Sequence, residues 1–189
     1  MLEKRKRTLS AVKEDKKQEE DDKRTGEEPT QEELHVEELK KQIYLTKKRE
    51  KINGRNVITD LDVVCFYFSA GWCPPCREFT PTLAGIHREA TRQGAPIRVI
   101  YVPFDKSEEC LWQYVDSQHG DWLIVPLEDP LIANLVERYG VGSVPKLIVI
   151  SGKGEVITKK GRKEIQDKGI VACRNWATVA ARVPPAVNE

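Results

Sequence analysis

The 189-residue chain has no apolar run long enough to cross a membrane. Its basic start, Met1-Leu2-Glu3-Lys4-Arg5-Lys6-Arg7, leads into no apolar stretch that could be the core of a secretory signal. The expectation is a soluble cytoplasmic protein with no membrane partner. An excess of one charge is also missing: 31 Lys and Arg against 30 Asp and Glu leave a formal net charge of +1. That balance argues against a general nucleic-acid binder and leaves room only for a local basic patch. Zinc-ligand spacing is lacking too, since Cys65, Cys110, Cys173, His35, His87 and His119 stand singly and no metal site is expected. Apolar residues nearly vanish before Thr30, where blocks such as Lys13-Glu14-Asp15-Lys16-Lys17 and Glu19-Glu20-Asp21-Asp22 alternate. We read 1–34 as a disordered charged arm, 35–183 as one folded domain and 184–189 as a tail. Lys4-Arg5-Lys6-Arg7 is a candidate nuclear import signal, with a solvated charge run as the bland alternative.

What is present is one closely spaced pair of cysteines. The run Val63-Val64-Cys65-Phe66-Tyr67-Phe68 is short, β-branched and aromatic, so it reads as a buried strand. It gives way through Ser69-Ala70-Gly71 to Trp72-Cys73-Pro74-Pro75-Cys76. Proline suits a first helical turn, where missing amides cost little, which makes Cys73 the N-cap and places Cys76 one turn on. A thiol near its reference pKa of about 8.5 is only roughly 3% thiolate at pH 7, and thiolate is the nucleophile. A helix N-terminus favours the anion, and the Cys76 N–H is the first donor left to point at the Cys73 sulfur. This predicts a dithiol in which Cys73 attacks a disulfide and Cys76 releases the product. Half a zinc site and a structural disulfide are the rivals; the second is disfavoured in a reducing compartment.

Along the rest of the chain, Thr30-Gln31-Glu32-Glu33 fits a capping box opening a short helix with Leu34, Leu39 and Ile43 as its apolar stripe. Asn53-Gly54, between Lys51-Ile52 and Asn56-Val57-Ile58, predicts a hairpin. A helix kinked at Pro81 follows the dithiol and closes at Gln93-Gly94. A second strand covers Ile97 to Phe104 with Arg98 near its end, and Ser107 caps the next helix. An extended Trp122–Pro126 segment, a helix over Leu131–Tyr139 stopped by Gly140, and a hairpin from Lys146–Ile150 to Glu155–Thr158 come next. A last helix spans Val171–Ala181, with Trp176 and Val179 facing inward. The order implies an α/β fold, a mixed central sheet flanked by helices on both faces, with the dithiol at the carboxyl end of a central strand.

These residues resemble the thioredoxin superfamily, in its nucleoredoxin-like and tryparedoxin-like branch, over roughly Leu39 to Ala181. The resemblance rests on Phe66 to Arg77, Phe79-Thr80-Pro81, Trp122-Leu123 with Pro126, Val144-Pro145-Lys146, Gly154-Glu155-Val156-Ile157 and the Lys160-Gly161-Arg162-Lys163 stretch. It implies a thioredoxin-like fold, Cys73 as the attacking and Cys76 as the resolving thiol, and a cis peptide before Pro145 beside them. Substrate contacts are then expected from Trp72, Pro74, Pro75, Val144 and Pro145. For Trp72 partly buried packing is the alternative, and for Val144-Pro145 an ordinary trans turn. Cys65 reads as packing, and Cys110 and Cys173 as inert thiols with a regulatory role as the alternative. One departure stands out. Many thioredoxins carry a buried aspartate six residues before the first active cysteine, and Tyr67 occupies that position here.

The expected function is reduction of protein disulfides by a monomer with no bound cofactor, recharged by a low-molecular-weight dithiol or an NADPH-linked reductase. A redox-sensitive regulator that binds a signalling or transcription partner with little turnover is the alternative. An isomerase or oxidase would need an oxidising compartment.

Overall fold

A computed structural model describes residues 28–182; the Lys4–Arg7 cluster and the 184–189 tail lie outside them. The elements run α1 (Gln31–Lys41), β1 (Ile43–Leu45), β2 (Lys51–Asn53), β3 (Val63–Ser69), α2 (Pro74–Arg92), β4 (Ile97–Pro103) and α3 (Glu108–Gln118). Then come β5 (Leu123–Ile124), α4 (Pro130–Tyr139), β6 (Lys146–Ser151), β7 (Val156–Thr158), α5 (Gly161–Lys168) and α6 (Ile170–Arg182).

All seven residues of β3 are buried, as a strand apolar on both faces requires. It lies inside a seven-stranded mixed sheet of order β2-β1-β5-β4-β3-β6-β7. β4 runs parallel to it, from Val63 opposite Ile97 to Ser69 opposite Pro103, and β6 runs antiparallel. Successive β3 side chains therefore feed two cores. Val63, Cys65 and Tyr67 pack with Phe79 and Leu83 of α2, Val115 of α3, Ile165 of α5 and Trp176 of α6. Val64, Phe66 and Phe68 pack on the other face with Leu39 of α1 and Leu135 of α4. Helices thus cover both faces, and the predicted fold class holds. Arg98 lies at the start of β4, where its Nε donates to Asp62 at 3.1 Å.

Local signals held where side chains or φ angles act within one turn. Ser107 Oγ accepts the Cys110 N–H at 3.2 Å, and Gly140 stops α4 in the left-handed region at φ 64°. α2 runs unbroken through Pro81.

Four expectations are corrected. Asn53-Gly54 is not a hairpin turn: β2 pairs back onto β1, and Asn53 caps a single 3₁₀ turn over Gly54–Asn56. Glycine is needed there for close approach, because a Cβ at Gly54 would stand 2.3 Å from the Leu39 carbonyl oxygen. In α1 the buried face is His35, Val36 and Leu39, while Leu34 is exposed, and Ile43 lies beyond the helix as the exposed first residue of β1. On α6 Trp176 faces in but Val179 faces out. α5 went unpredicted because it buries a single large apolar residue, Ile165, and so carries no periodicity.

Candidate active site

The site lies where β3 hands over to α2. Cys73 has extended backbone at φ −95° and ψ 109°, and Pro74 and Pro75 fill the first helical turn. Its sulfur accepts the Cys76 N–H at 3.3 Å, so Cys73 is a true N-cap. The two sulfurs form a disulfide, with their Cα atoms 5.2 Å apart. Both cysteines are buried, whereas Pro74 and Pro75 are exposed beside them.

The Val144-Pro145 peptide is cis, as the resemblance implied. The Val144 carbonyl oxygen lies 3.9 Å from the Cys73 sulfur, and Val144 packs with Ala70 and the two cysteines. Trp72 is 56% exposed, and its Nε1 donates to the Phe104 carbonyl at 2.8 Å, which fixes the ring. Every sequence-predicted site residue therefore falls around one pair of sulfurs.

Behind them lies a hydroxyl network that sequence reasoning missed. The Tyr67 hydroxyl sits 2.7 Å from Thr80 Oγ1, which donates to the Cys76 carbonyl at 2.8 Å and also bonds the Tyr114 hydroxyl. Burial pushes the Tyr67 phenol well above its ordinary pKa, so this residue stays neutral at physiological pH and cannot serve as a proton acceptor for Cys76. The buried carboxylate here is Asp105, on the loop after β4. It accepts the Gly71 N–H at 2.8 Å and the Tyr101 hydroxyl. No local pattern marks Asp105; the parallel pairing of β3 and β4 sets it against Gly71.

The remaining thiols sort by burial. Cys65 is pushed well up by desolvation, and Cys173 to about 11 by the same cause, so both are poor nucleophiles. Cys110 is exposed. It opens into a cleft of about 390 Å³ beside Trp72, lined also by Arg77, Lys106 and Gln113.

A family model described as thioredoxin-like matches residues 60–156. Nucleoredoxin of Xenopus laevis is 41% identical over 103 residues, covering 54% of this chain and 24% of its own length. The chain thus spans about a quarter of that curated relative. Among solved structures, thioredoxin related protein 16 of Carcinoscorpius rotundicauda is 38% identical with a TM-score of 0.65, covering 74% of this chain and 97% of its own. That structure is described together with a role in regulating transcription factor NF-kB activity. Tryparedoxin of Trypanosoma brucei is 27% identical with a TM-score of 0.62, covering 72% and 92%.

Proposed function

Since this chain belongs to the thioredoxin-like family, in its nucleoredoxin and tryparedoxin branch, we propose that its thiol-oxidoreductase site works as a protein-disulfide reductase. The observation that carries the reading is the Cys73 sulfur at the N-terminus of a 19-residue helix, bonded to Cys76 and facing the Val144 carbonyl. In the reduced protein the Cys73 thiolate, favoured by the helix terminus and the Cys76 N–H, attacks one sulfur of a substrate disulfide. The other substrate sulfur leaves as thiolate. Cys76, deprotonated by water or by that leaving thiolate, then attacks the Cys73 sulfur, closes the Cys73–Cys76 bond and frees the second substrate thiol. Two electrons have passed to the substrate.

An external dithiol or an NADPH-linked reductase returns them. Exposed Trp72, Pro74 and Pro75 and the backbone of Val144 beside Pro145 form the surface for an extended substrate segment. The reading places a monomer in the cytoplasm, with Lys4-Arg5-Lys6-Arg7 as a route to the nucleus.

Reduction of insulin disulfides with dithiothreitol as donor tests it. Cys73→Ser is expected to abolish turnover and Cys76→Ser to accumulate the mixed disulfide; an undiminished Cys73→Ser rate overturns the reading. Titration against a glutathione buffer fixes the direction of electron flow, since about 30 mV changes the reduced-to-oxidised ratio tenfold. A redox-sensitive binding regulator is the second reading, favoured by the description of the Carcinoscorpius protein. Equal partner binding by wild type and by a Cys73→Ser, Cys76→Ser protein would favour it and make turnover incidental.

A further inference from the structure

The cleft beside Trp72 has a chemistry that disulfide exchange does not use. Arg77, the residue after Cys76, and Lys106, on the loop that holds Asp105, both line it, and no acidic side chain does. Both are exposed, and neither side chain forms a hydrogen bond or ion pair among the described residues. Some other surface cations are held in ion pairs, as Arg49 is with Asp116 at 2.8 Å, Arg92 with Glu89 at 2.7 Å and Lys163 with Asp167 at 2.7 Å. The walls add Gln113 and Ser117 as hydrogen-bonding groups and the Trp72 ring as an apolar one. At about 390 Å³ the cleft is within the size range of sites that hold small ligands, so it can take a short stretch of peptide. Trp72 and Arg77, which flank the dithiol in the chain, both line the cleft, so it lies beside the segment that carries the reacting sulfurs.

We propose that this cleft is a specificity subsite for an acidic stretch of the substrate next to its disulfide, with Arg77 and Lys106 as the selecting cations. The proposal rests on the reductase reading for its substrate and deepens it. The two charges act on binding, so their effect falls on KM and is screened by salt. Two partly exposed pairs amount to a threefold to tenfold preference, roughly.

Two arms test it. In the first, kcat/KM is compared for a disulfide peptide with Glu flanks and its Gln isostere. Wild type is expected to favour the Glu peptide through KM at low salt. Arg77→Gln, Lys106→Gln protein is expected to lose that preference while retaining its rate on the Gln peptide. Equal kcat/KM for the two peptides in wild type, or an equal fall for both in the variant, overturns the subsite. The second arm needs no turnover. In the oxidised protein Cys110 is the one exposed thiol, because Cys65 and Cys173 are buried. A Glu peptide carrying serine for cysteine is expected to slow Cys110 alkylation, and its Gln isostere is not. Protection without turnover sinks the reductase reading and keeps the subsite; turnover with no charge preference and no protection does the reverse.

Discussion

Cys73 and Cys76 show how little sequence a reactive pair needs, since both sit within one helical turn and the proline amides that would compete for the sulfur are missing. Alkylation of the reduced protein at pH 7 is expected to reach Cys73 well before Cys173, whose thiol burial holds near 11; mass mapping of the adduct checks it. His119 tells a different story. It is wedged between Tyr101 and Tyr114, with ring centroids 4.4 and 4.6 Å away, and neither ring nitrogen has a partner among the described residues. Desolvation, helped by Lys47, depresses its pKa from 6.5 to about 3, and burial holds His35 down at about 4. In both cases the unfolded chain binds the proton first. Stability is therefore fully present above pH 6.5 and is lost as pH falls toward the folded values. For His119 the loss between pH 7 and pH 5 is about 2 kcal/mol. Urea midpoints should fall over that range. His119→Leu, which forfeits no hydrogen bond of the ring, should flatten the slope and leave only the share due to His35 and His87.

Two glycines that look alike in sequence act differently within their elements. Gly140 ends α4 at φ 64°, a conformation that costs an L-residue about 1 kcal/mol, so Gly140→Ala should lower stability by that amount. Gly54 has no positive φ; it lets the 3₁₀ turn press against the last turn of α1, and its own N–H donates to the Gln42 carbonyl at 2.8 Å. An added methyl meets backbone that cannot swing aside. Gly54→Ala should therefore cost more than Gly140→Ala, about 2 to 3 kcal/mol, as overpacking does. Chemical denaturation of the two variants side by side checks the order. The misread hairpin has the same origin: Asn-Gly favours a tight turn in isolation, but Thr46 Oγ1 accepts the Lys48 and Glu50 N–H groups and Arg49 takes φ 66°, so the turn forms over Thr46 to Glu50 instead.

At the scale of the whole described fold, β3 is shared by both cores, so neither face can come apart while the other stays intact. Unfolding should be one transition in which tryptophan fluorescence, with Trp122 and Trp176 on one face, coincides with far-ultraviolet circular dichroism. Leu135→Ala, on the opposite face, should move both curves together by about 2 to 5 kcal/mol; divergent curves would contradict a shared core. The sequence by itself determined the longer strands β3, β4 and β6, the helices marked by Cys73, Ser107 and Gly140, and the dithiol, because burial on both faces, caps and proline geometry act over a few residues. It determined the central place of β3 for the same reason. Only the tertiary structure decided what surrounds the sulfurs. Asp105 meets Gly71, Tyr114 meets Thr80, and Arg77, Lys106 and Cys110 gather at one cleft through the parallel pairing of β3 with β4 and the seating of α3 against α2. Those residues lie some thirty to forty positions apart, and no local pattern marks a polar side chain for a partner at that distance.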